Sequence, residues 1–130
     1  MGALSGYKII ELSGIGPGPL CGMLLSDLGA EVIRIDRSNT VMPQSDPKFD
    51  ITGRSKKSIC LNLKDKDSKD IFFKLIKDAD ALIEGFRPGV TEKLGIGPDE
   101  CLKINPKLVY GRITGWGQDG PLSQAAGHDI

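Results

Sequence analysis

Residues 7–37 constrain the fold of this chain more than any other stretch, because they have the pattern strand, glycine-rich turn, helix, strand. Residues 7–12 form a short apolar run typical of a buried strand. Three glycines follow, and Pro17 and Pro19 suit the first turn of a helix. A second apolar run at residues 32–35 ends at Asp36 and Arg37. The pattern predicts a βαβ unit with parallel strands, whose helix carries apolar residues at helical spacing at Leu20, Met23, Leu24 and Leu28.

The rest of the chain continues the alternation of strands and helices. Further strands are predicted at residues 59–63, 80–86 and 108–114, and a surface loop at residues 38–52. Helices are predicted at residues 90–94 and 98–104, and another begins at a cap provided by Asp67 or Ser68. This order predicts one α/β domain with a doubly wound sheet, in which ligands bind beyond the carboxyl ends of the strands.

Composition and spacing give no support to several kinds of partner and site, so we expect no nucleic acid and no membrane as partner. Basic and acidic residues number 17 each, so net charge gives no argument for binding nucleic acid or an anionic membrane. No apolar run approaches the roughly 20 residues of a membrane-spanning helix. The three cysteines lack paired spacing, which favours reduced, buried thiols over a disulfide framework or a metal site.

Basic residues follow three of the predicted strands, at Arg37, Lys64 and Arg87. A ligand with several phosphates needs such a cluster, and arginine can bind a phosphate through two hydrogen bonds. Three more basic residues lie in the turn before the third strand. The alternative is that all these side chains solvate loops, and spacing does not decide between the two. The residues of that turn are Arg54, Lys56 and Lys57.

Two other patterns leave alternatives open. The glycines at 14, 16 and 18, followed by Asp36, approach a dinucleotide fingerprint, but Pro19 or Cys21 occupies the third glycine position. A nicotinamide cofactor therefore remains a distant alternative. His128, the single histidine, follows a glycine-rich loop and is either a general base or a structural residue.

Several motifs together give the chain a family resemblance. The segments 11–19 (ELSGIGPGP), 27–37 (DLGAEVIRIDR), 84–89 (EGFRPG) and 114–121 (TGWGQDGP) resemble the class III CoA-transferase and alpha-methylacyl-CoA racemase family. The ending AGHDI, residues 126–130, is most similar to the racemase branch. The resemblance implies a Rossmann-like, mainly parallel sheet. It also implies that residues 1–130 are the N-terminal part of a CoA-binding large domain, with the rest of that domain and a small domain absent.

The resemblance implies a CoA thioester as ligand, with no further cofactor and no metal, because CoA is part of the substrate. The residue matching Arg37 contacts the adenosine end of CoA, and the arginine matching Arg87 pairs with its phosphates. Lys93 keeps a positive charge where relatives can carry arginine, and Asn62 stands where relatives often have aspartate. The remaining substrate contacts implied by the resemblance are Leu61, Leu63, Lys64, Gly127, Asp129 and Ile130.

The implied reaction interconverts 2-methylacyl-CoA epimers through an enolate, with one acid–base group on each face. By resemblance His128 is one group, and an aspartate beyond Ile130 is the other. The 130-residue chain is therefore expected to be inactive alone. Full-length relatives form interlocked homodimers.

Two further alternative functions remain open. A class III CoA-transferase would use an aspartate nucleophile, also beyond Ile130, and such enzymes commonly lack a histidine at position 128. A non-catalytic fragment would bind CoA or a partner chain without turnover. The compartment stays open, since relatives act in mitochondria, in peroxisomes or in the bacterial cytoplasm.

Overall fold

The computed structural model describes residues 2–37 and 49–127. The predicted loop at 38–52 lies mostly outside these residues, and its described end forms a short 3-10 turn at Ile51–Gly53. In chain order the strands and helices are β1 (Lys8–Leu12), α1 (Pro17–Asp27), β2 (Glu31–Asp36), β3 (Lys57–Cys60), α2 (Lys66–Lys77), β4 (Ala81–Glu84), α3 (Val90–Leu94), α4 (Pro98–Ile104) and β5 (Val109–Arg112).

Within the described residues the strands form one five-stranded sheet in the order β3-β2-β1-β4-β5. Every pairing is parallel. The register sets Leu12 beside Ile35, and Glu84 beside Arg112. All five strands therefore end at one edge, and the predicted α/β doubly wound sheet is confirmed.

Helices cover both faces of the sheet. On one face, Ile10 and Leu82 pack with Phe72 and Ile76 of α2 and with Cys101 of α4. On the other face, α1 lies over a smaller cluster formed by Ile9, Ala30, Val32 and Ile83. Strands β1 and β4 contribute residues to both clusters, because successive side chains of a strand point to opposite sides of the sheet.

The segment after β3 differs from its prediction. The strand ends at Cys60, although Leu61 N–H still donates to Asp36 O at 2.9 Å. Residues 62–65 then form a turn in which Asp65 N–H donates to Asn62 O at 3.0 Å. Asp65, rather than Asp67 or Ser68, caps α2, since its carboxylate accepts from Ser68 N–H at 3.0 Å. The apolar alternation predicted a longer strand, but the hydrogen bonds of this turn end it early.

Helix α1 does not bury the stripe of leucines that its spacing suggests. Leu20, Leu24 and Leu28 are 47%, 51% and 49% exposed, and Met23 is the one residue of that set that is buried. The helix instead buries small residues, Gly18, Pro19, Gly22 and Ser26 among them. Small residues let a helix backbone approach a sheet closely.

A buried ion pair lies under α1. Lys56 Nζ is 2.6 Å from Glu11 Oε2, and the two side chains are 2% and 0% exposed. The same ammonium group donates to Pro19 O at 2.9 Å, which ties the turn before β3 to the first turn of α1. Burial raises the pKa of Glu11, while the hydrogen bond from Lys56 opposes that rise.

The cysteines only partly match their prediction as buried thiols. Cys101 is fully buried, its Sγ lies 3.4 Å from Ile96 O, and burial raises the pKa of its thiol to about 12. Cys21 is half-buried. The prediction is wrong for Cys60, which is exposed because it lies on edge strand β3.

In the described segments, no helix has the length and apolar character needed to cross a bilayer.

Gly22→Ala tests the close approach of α1 to the sheet. A Cβ at this position would overlap the carboxylate of Glu11, whereas a Cβ at Gly18 in the same helix would have Ile113 Cδ1 at 4.0 Å as its nearest neighbour. We expect Gly22→Ala to lower the free energy of unfolding by about 1–3 kcal/mol, the usual cost of overpacking. Urea denaturation measures this change. Gly18→Ala is the control and should be neutral or slightly stabilising; equal stability of the two variants would contradict the close approach.

Candidate functional site

A cavity of about 500 Å³ opens at the edge where the parallel strands end. Its walls come from the ends of β1, β2 and β4, from the turn after β3, and from helix α3. Parallel α/β sheets usually hold their ligands at this edge. The lining residues are Leu12, Ser13, Ile35, Asp36, Arg37, Leu61, Asn62, Leu63, Lys64, Phe86, Val90, Lys93 and Leu94.

The cavity brings together most of the site residues predicted from sequence. Arg37 reaches it from the end of β2, Lys93 from α3, and residues 61–64 from the turn after β3. In that turn the side-chain oxygen of Asn62 accepts from Lys64 N–H at 3.3 Å, which fixes the backbone next to the cavity. The predicted residues that share the cavity are Arg37, Leu61, Asn62, Leu63, Lys64 and Lys93.

Charge in the cavity is mainly positive. Arg37, Lys64 and Lys93 line it, and Asp36 is the acidic residue of the lining. Asp36 Oδ2 already accepts from Arg34 Nε at 3.1 Å, so part of its negative charge is balanced. The site therefore suits an anionic ligand, and apolar walls of leucine, valine and phenylalanine would exclude water from its uncharged part.

Arg37 lies over the ring of Phe86, with its guanidinium carbon 5.1 Å from the ring centroid. This distance falls within the range of a cation–π interaction. Phe86 is held in turn by its backbone, because its N–H donates to Glu84 Oε2 at 2.7 Å. The strand end of β4 therefore supports the cation that β2 contributes to the cavity.

Arg87 and Gly127 do not join this lining. Arg87 is exposed, and its carbonyl accepts from Val90 N–H at 3.1 Å in the turn that leads into α3. Gly127 packs against Gly115 beyond β5. The remaining predicted residues, His128, Asp129 and Ile130, lie outside the described residues.

The two ends of the glycine-rich loop at 115–127 are in contact, and we call the contact between Gly115 and Gly127 the neck of the loop. The backbones of Gly115 and Gly127 meet so closely that a Cβ on either would overlap the Cα of the other. Trp116 Nε1 donates to Ala126 O at 3.1 Å across the same neck. Gln124 Nε2 donates to Pro88 O at 3.3 Å, so the loop also contacts the turn before α3.

The basic residues at positions 54–57 form ion pairs and not the phosphate-binding cluster that the sequence suggested. Arg54 pairs with Asp27, Lys56 with Glu11, and Lys57 with Glu31. A second cavity of about 280 Å³ lies here, lined by Arg34, Asp50, Gly53, Arg54, Lys56 and Ser58. Because carboxylates balance these cations, Arg54, Lys56 and Lys57 are not part of the cationic cluster at the strand ends.

Sequence reasoning missed several lining residues. Phe86 belongs to the motif at 84–89 and directly precedes Arg87, so its place after a strand was a usable signal. Val90 and Leu94 were predicted as helical, but a helix of five residues gives too little periodicity to say which face lines a cavity. Across residues 2–37 and 49–127, no cluster of three or more histidine, cysteine or acidic side chains could hold a metal ion.

Comparison with known proteins identifies the family. The family model CoA-transferase family III matches residues 4–130. The chain belongs to this family. The prediction made from the motifs is therefore confirmed at the family level.

The family III relatives include both racemases and transferases. The chain is 43% identical over 130 residues to alpha-methylacyl-CoA racemase of Homo sapiens, covering 98% of this chain and 32% of that protein. It is 39% identical over 137 residues to acetyl-CoA:oxalate CoA-transferase of Acetobacter aceti, covering 98% of this chain and 35% of that protein. The chain thus spans about a third of the length of the curated relatives it matches.

Solved structures of family III proteins share the fold. A crystal structure of a hypothetical protein from Mycobacterium tuberculosis superposes with a TM-score of 0.89 at 36% identity, covering 98% of this chain and 37% of that one. A CAIB/BAIF family protein from Brucella suis gives a TM-score of 0.85 at 32% identity, with the same coverage of both chains. The Rossmann-like fold expected from the resemblance is therefore shown.

Gly115→Ala tests the closed neck of the loop. The added methyl group would displace Gly127 and break the hydrogen bond from Trp116 to Ala126. Because Trp116 is the single tryptophan, acrylamide quenching of its fluorescence reports on this loop alone. We expect stronger quenching, with the free energy of unfolding changed by less than about 1 kcal/mol because the loop is outside the core.

Gly14→Ala is the control for the neck, since a Cβ there meets no atom within 4 Å. Its tryptophan quenching should equal that of the unsubstituted chain. Unchanged quenching in Gly115→Ala would contradict the closed neck.

Proposed function

We propose that the cavity at the strand ends binds the nucleotide end of CoA, and that the chain is part of an alpha-methylacyl-CoA racemase. One observation carries the binding proposal. Six residues expected from the resemblance to contact CoA come from three separate segments of the chain and share one cavity: Arg37, Leu61, Asn62, Leu63, Lys64 and Lys93.

The chemistry of the cavity matches that of a nucleotide. CoA carries several phosphates, and the three cations of the lining supply charge for them. The planar guanidinium of Arg37 can donate two parallel hydrogen bonds to a phosphate, whereas Lys64 and Lys93 act as point charges. The half-buried side chains of Leu63 and Leu94 offer an apolar surface for the adenine ring.

The racemase proposal adds the acid–base group at His128. The proton alpha to a thioester carbonyl is weakly acidic, and its removal leaves an enolate. A neutral imidazole near physiological pH can accept that proton. Inversion also needs a proton donor on the opposite face, which Asp129 is poorly placed to supply because it is adjacent to His128 in sequence. By resemblance, the second group is an aspartate beyond residue 130.

The extent of the match supports a separation of CoA binding from the reacting groups along the polypeptide. The chain corresponds to about a third of its relatives, and we propose that it forms the N-terminal part of the CoA-binding large domain. Groups that hold the thioester and stabilise the enolate oxygen would lie in the remaining two thirds. On this proposal the 130 residues bind CoA without turnover, and interlocked homodimers form from the complete polypeptide.

A class III CoA-transferase is the second candidate, and the 39% identity to the acetyl-CoA:oxalate enzyme favours it. Both candidates would use the same CoA site. They differ in the reacting group, since the transferase moves CoA through an aspartate nucleophile. His128 and the 43% identity to the human racemase favour the first candidate.

Arg37→Ala tests CoA binding. A hydrogen bond to a charged group contributes about 1.5–3 kcal/mol. We therefore expect the Kd for free CoA, measured by isothermal titration calorimetry, to rise roughly 10- to 100-fold. Arg54→Ala is the matched control, because Arg54 pairs with Asp27 and lies outside this cavity. Equal CoA affinity of the Arg37→Ala variant and the unsubstituted chain would contradict the proposal.

Exchange of the alpha proton of a 2-methylacyl-CoA into deuterated water tests the catalytic part. The mass of the natural protein establishes first whether the polypeptide continues beyond Ile130. We expect no exchange with the 130-residue chain. In a longer natural product we expect exchange that His128→Ala lowers by a factor on the order of 100 or more, the usual contribution of a general base.

Two outcomes would contradict these expectations. Exchange catalysed by the 130 residues alone would show that no group beyond them is needed for proton transfer, and would overturn their expected inactivity. Transfer of CoA between carboxylic acids by the longer product, without alpha-proton exchange, would establish the transferase instead.

A further inference from the structure

Helix α3 is too short to hold its own position. It spans the five residues Val90–Leu94, and glycines in the left-handed conformation flank it at Gly89 and Gly95. One helical turn is marginal in water without tertiary contacts. Yet Val90, Lys93 and Leu94 of this helix line the cavity. Contacts elsewhere must therefore fix the place of Lys93 in the cavity wall.

Leu94 packs against the hydrophobic core, and the polar contacts of the helix come from Arg112 at the end of β5. Its Nη1 lies 2.8 Å from Glu92 Oε1, and its Nη2 lies 3.2 Å from Glu92 Oε2. Nη2 also lies 3.3 Å from Thr91 Oγ1, and Thr91 is completely buried. The guanidinium thus holds two consecutive residues of α3, while the other residues of the helix line the cavity.

Glu84 fixes Arg112 and a second wall of the cavity at the same time. This carboxylate is 1% exposed, and its Oε1 accepts from Arg112 Nε at 3.0 Å. Its Oε2 accepts from Phe86 N–H at 2.7 Å, and the Phe86 ring lies under Arg37. The buried Glu84 carboxylate is therefore hydrogen-bonded to Phe86, which contacts Arg37. It is also hydrogen-bonded to Arg112, which holds the helix that carries Lys93.

We propose that Glu84, Arg112 and Glu92 are positioning residues that set the separation between the Arg37 and Lys93 cations before a ligand arrives. The role of this separation in binding CoA rests on the proposed function. The attachment of α3 to β4 and β5 rests on the geometry alone. Preorganisation of this kind strengthens binding because the ligand does not have to order the wall.

Glu92→Gln is the most informative variant. The Glu92 side chain is 46% exposed, so its replacement leaves the core intact, and an exposed ion pair contributes only about 0–1 kcal/mol to stability. Glu31→Gln is the matched control: Glu31 is 42% exposed, pairs with Lys57, and lies at the start of β2, the opposite end of that strand from the cavity.

Amide hydrogen exchange in the 130-residue chain tests the attachment without any ligand. The reporters are the amides of Lys93, Gly95 and Ile96, which donate to Gly89 O, Glu92 O and Thr91 O. We expect these amides to exchange about two- to fivefold faster in Glu92→Gln, while amides of β1 and β4 keep their rates. The Glu31→Gln variant should match the unsubstituted chain throughout.

The sign of the change in CoA affinity separates positioning from simple electrostatics. Removal of a negative charge near a cationic cavity would, by Coulomb attraction alone, tighten the binding of an anion. Loss of positioning weakens it instead, and we expect the Kd for free CoA to rise several-fold in Glu92→Gln. This rise should disappear when Lys93 is already replaced by alanine, because the effect passes through Lys93.

Each result decides one proposal. Unchanged exchange of the α3 amides in Glu92→Gln would overturn the positioning role, whether or not CoA binds. Faster exchange with unchanged or tighter CoA binding would also overturn it. Absence of CoA binding by the unsubstituted chain would refute the proposed function, while faster α3 exchange would still support the attachment of the helix.

Discussion

The parallel direction of all five strands is the constraint on which the site depends. Parallel pairing forces every strand to end at the same edge, so residues far apart in sequence become neighbours there. Arg37 follows β2, and Phe86 follows β4 two strands away, yet their side chains stack. An antiparallel sheet of the same residues would send alternate strand ends to opposite edges and divide the cationic cluster.

Two buried carboxylates connect this sheet to its surroundings, one on each face. Glu11 bonds Lys56 under α1, and Glu84 bonds Arg112 beside α3. Burial raises the pKa of both carboxyl groups, against the hydrogen bonds they accept. Removing one partner of such a pair costs more than the pair contributes, because the other charge remains buried. The pairs therefore define where the neighbouring segments dock more than they add to stability.

Sequence patterns predicted the order of the elements well, because strand and helix periods are local properties. The helix at Pro98–Ile104 has the bounds expected from its proline and from the Asn105-Pro106 break. The face that α1 buries could not be predicted, since it follows from the missing side chain at Gly22 and not from leucine spacing. At the site, strand-end cations were predictable. The pairing of Lys56 with Glu11 was not, because it joins residues 45 positions apart.

The neck between Gly115 and Gly127 has a consequence for how this chain tolerates change in length. The backbone contact between the two glycines and the hydrogen bond from Trp116 fix the two ends of the loop. The conformation of the residues between them is therefore not needed to hold these ends together. The entropic cost of closing a loop rises by only about 0.6 kcal/mol each time its length doubles. Residues can therefore be inserted between Gln118 and Ser123 with little strain on β5, which makes this segment a natural place for a label or a grafted peptide.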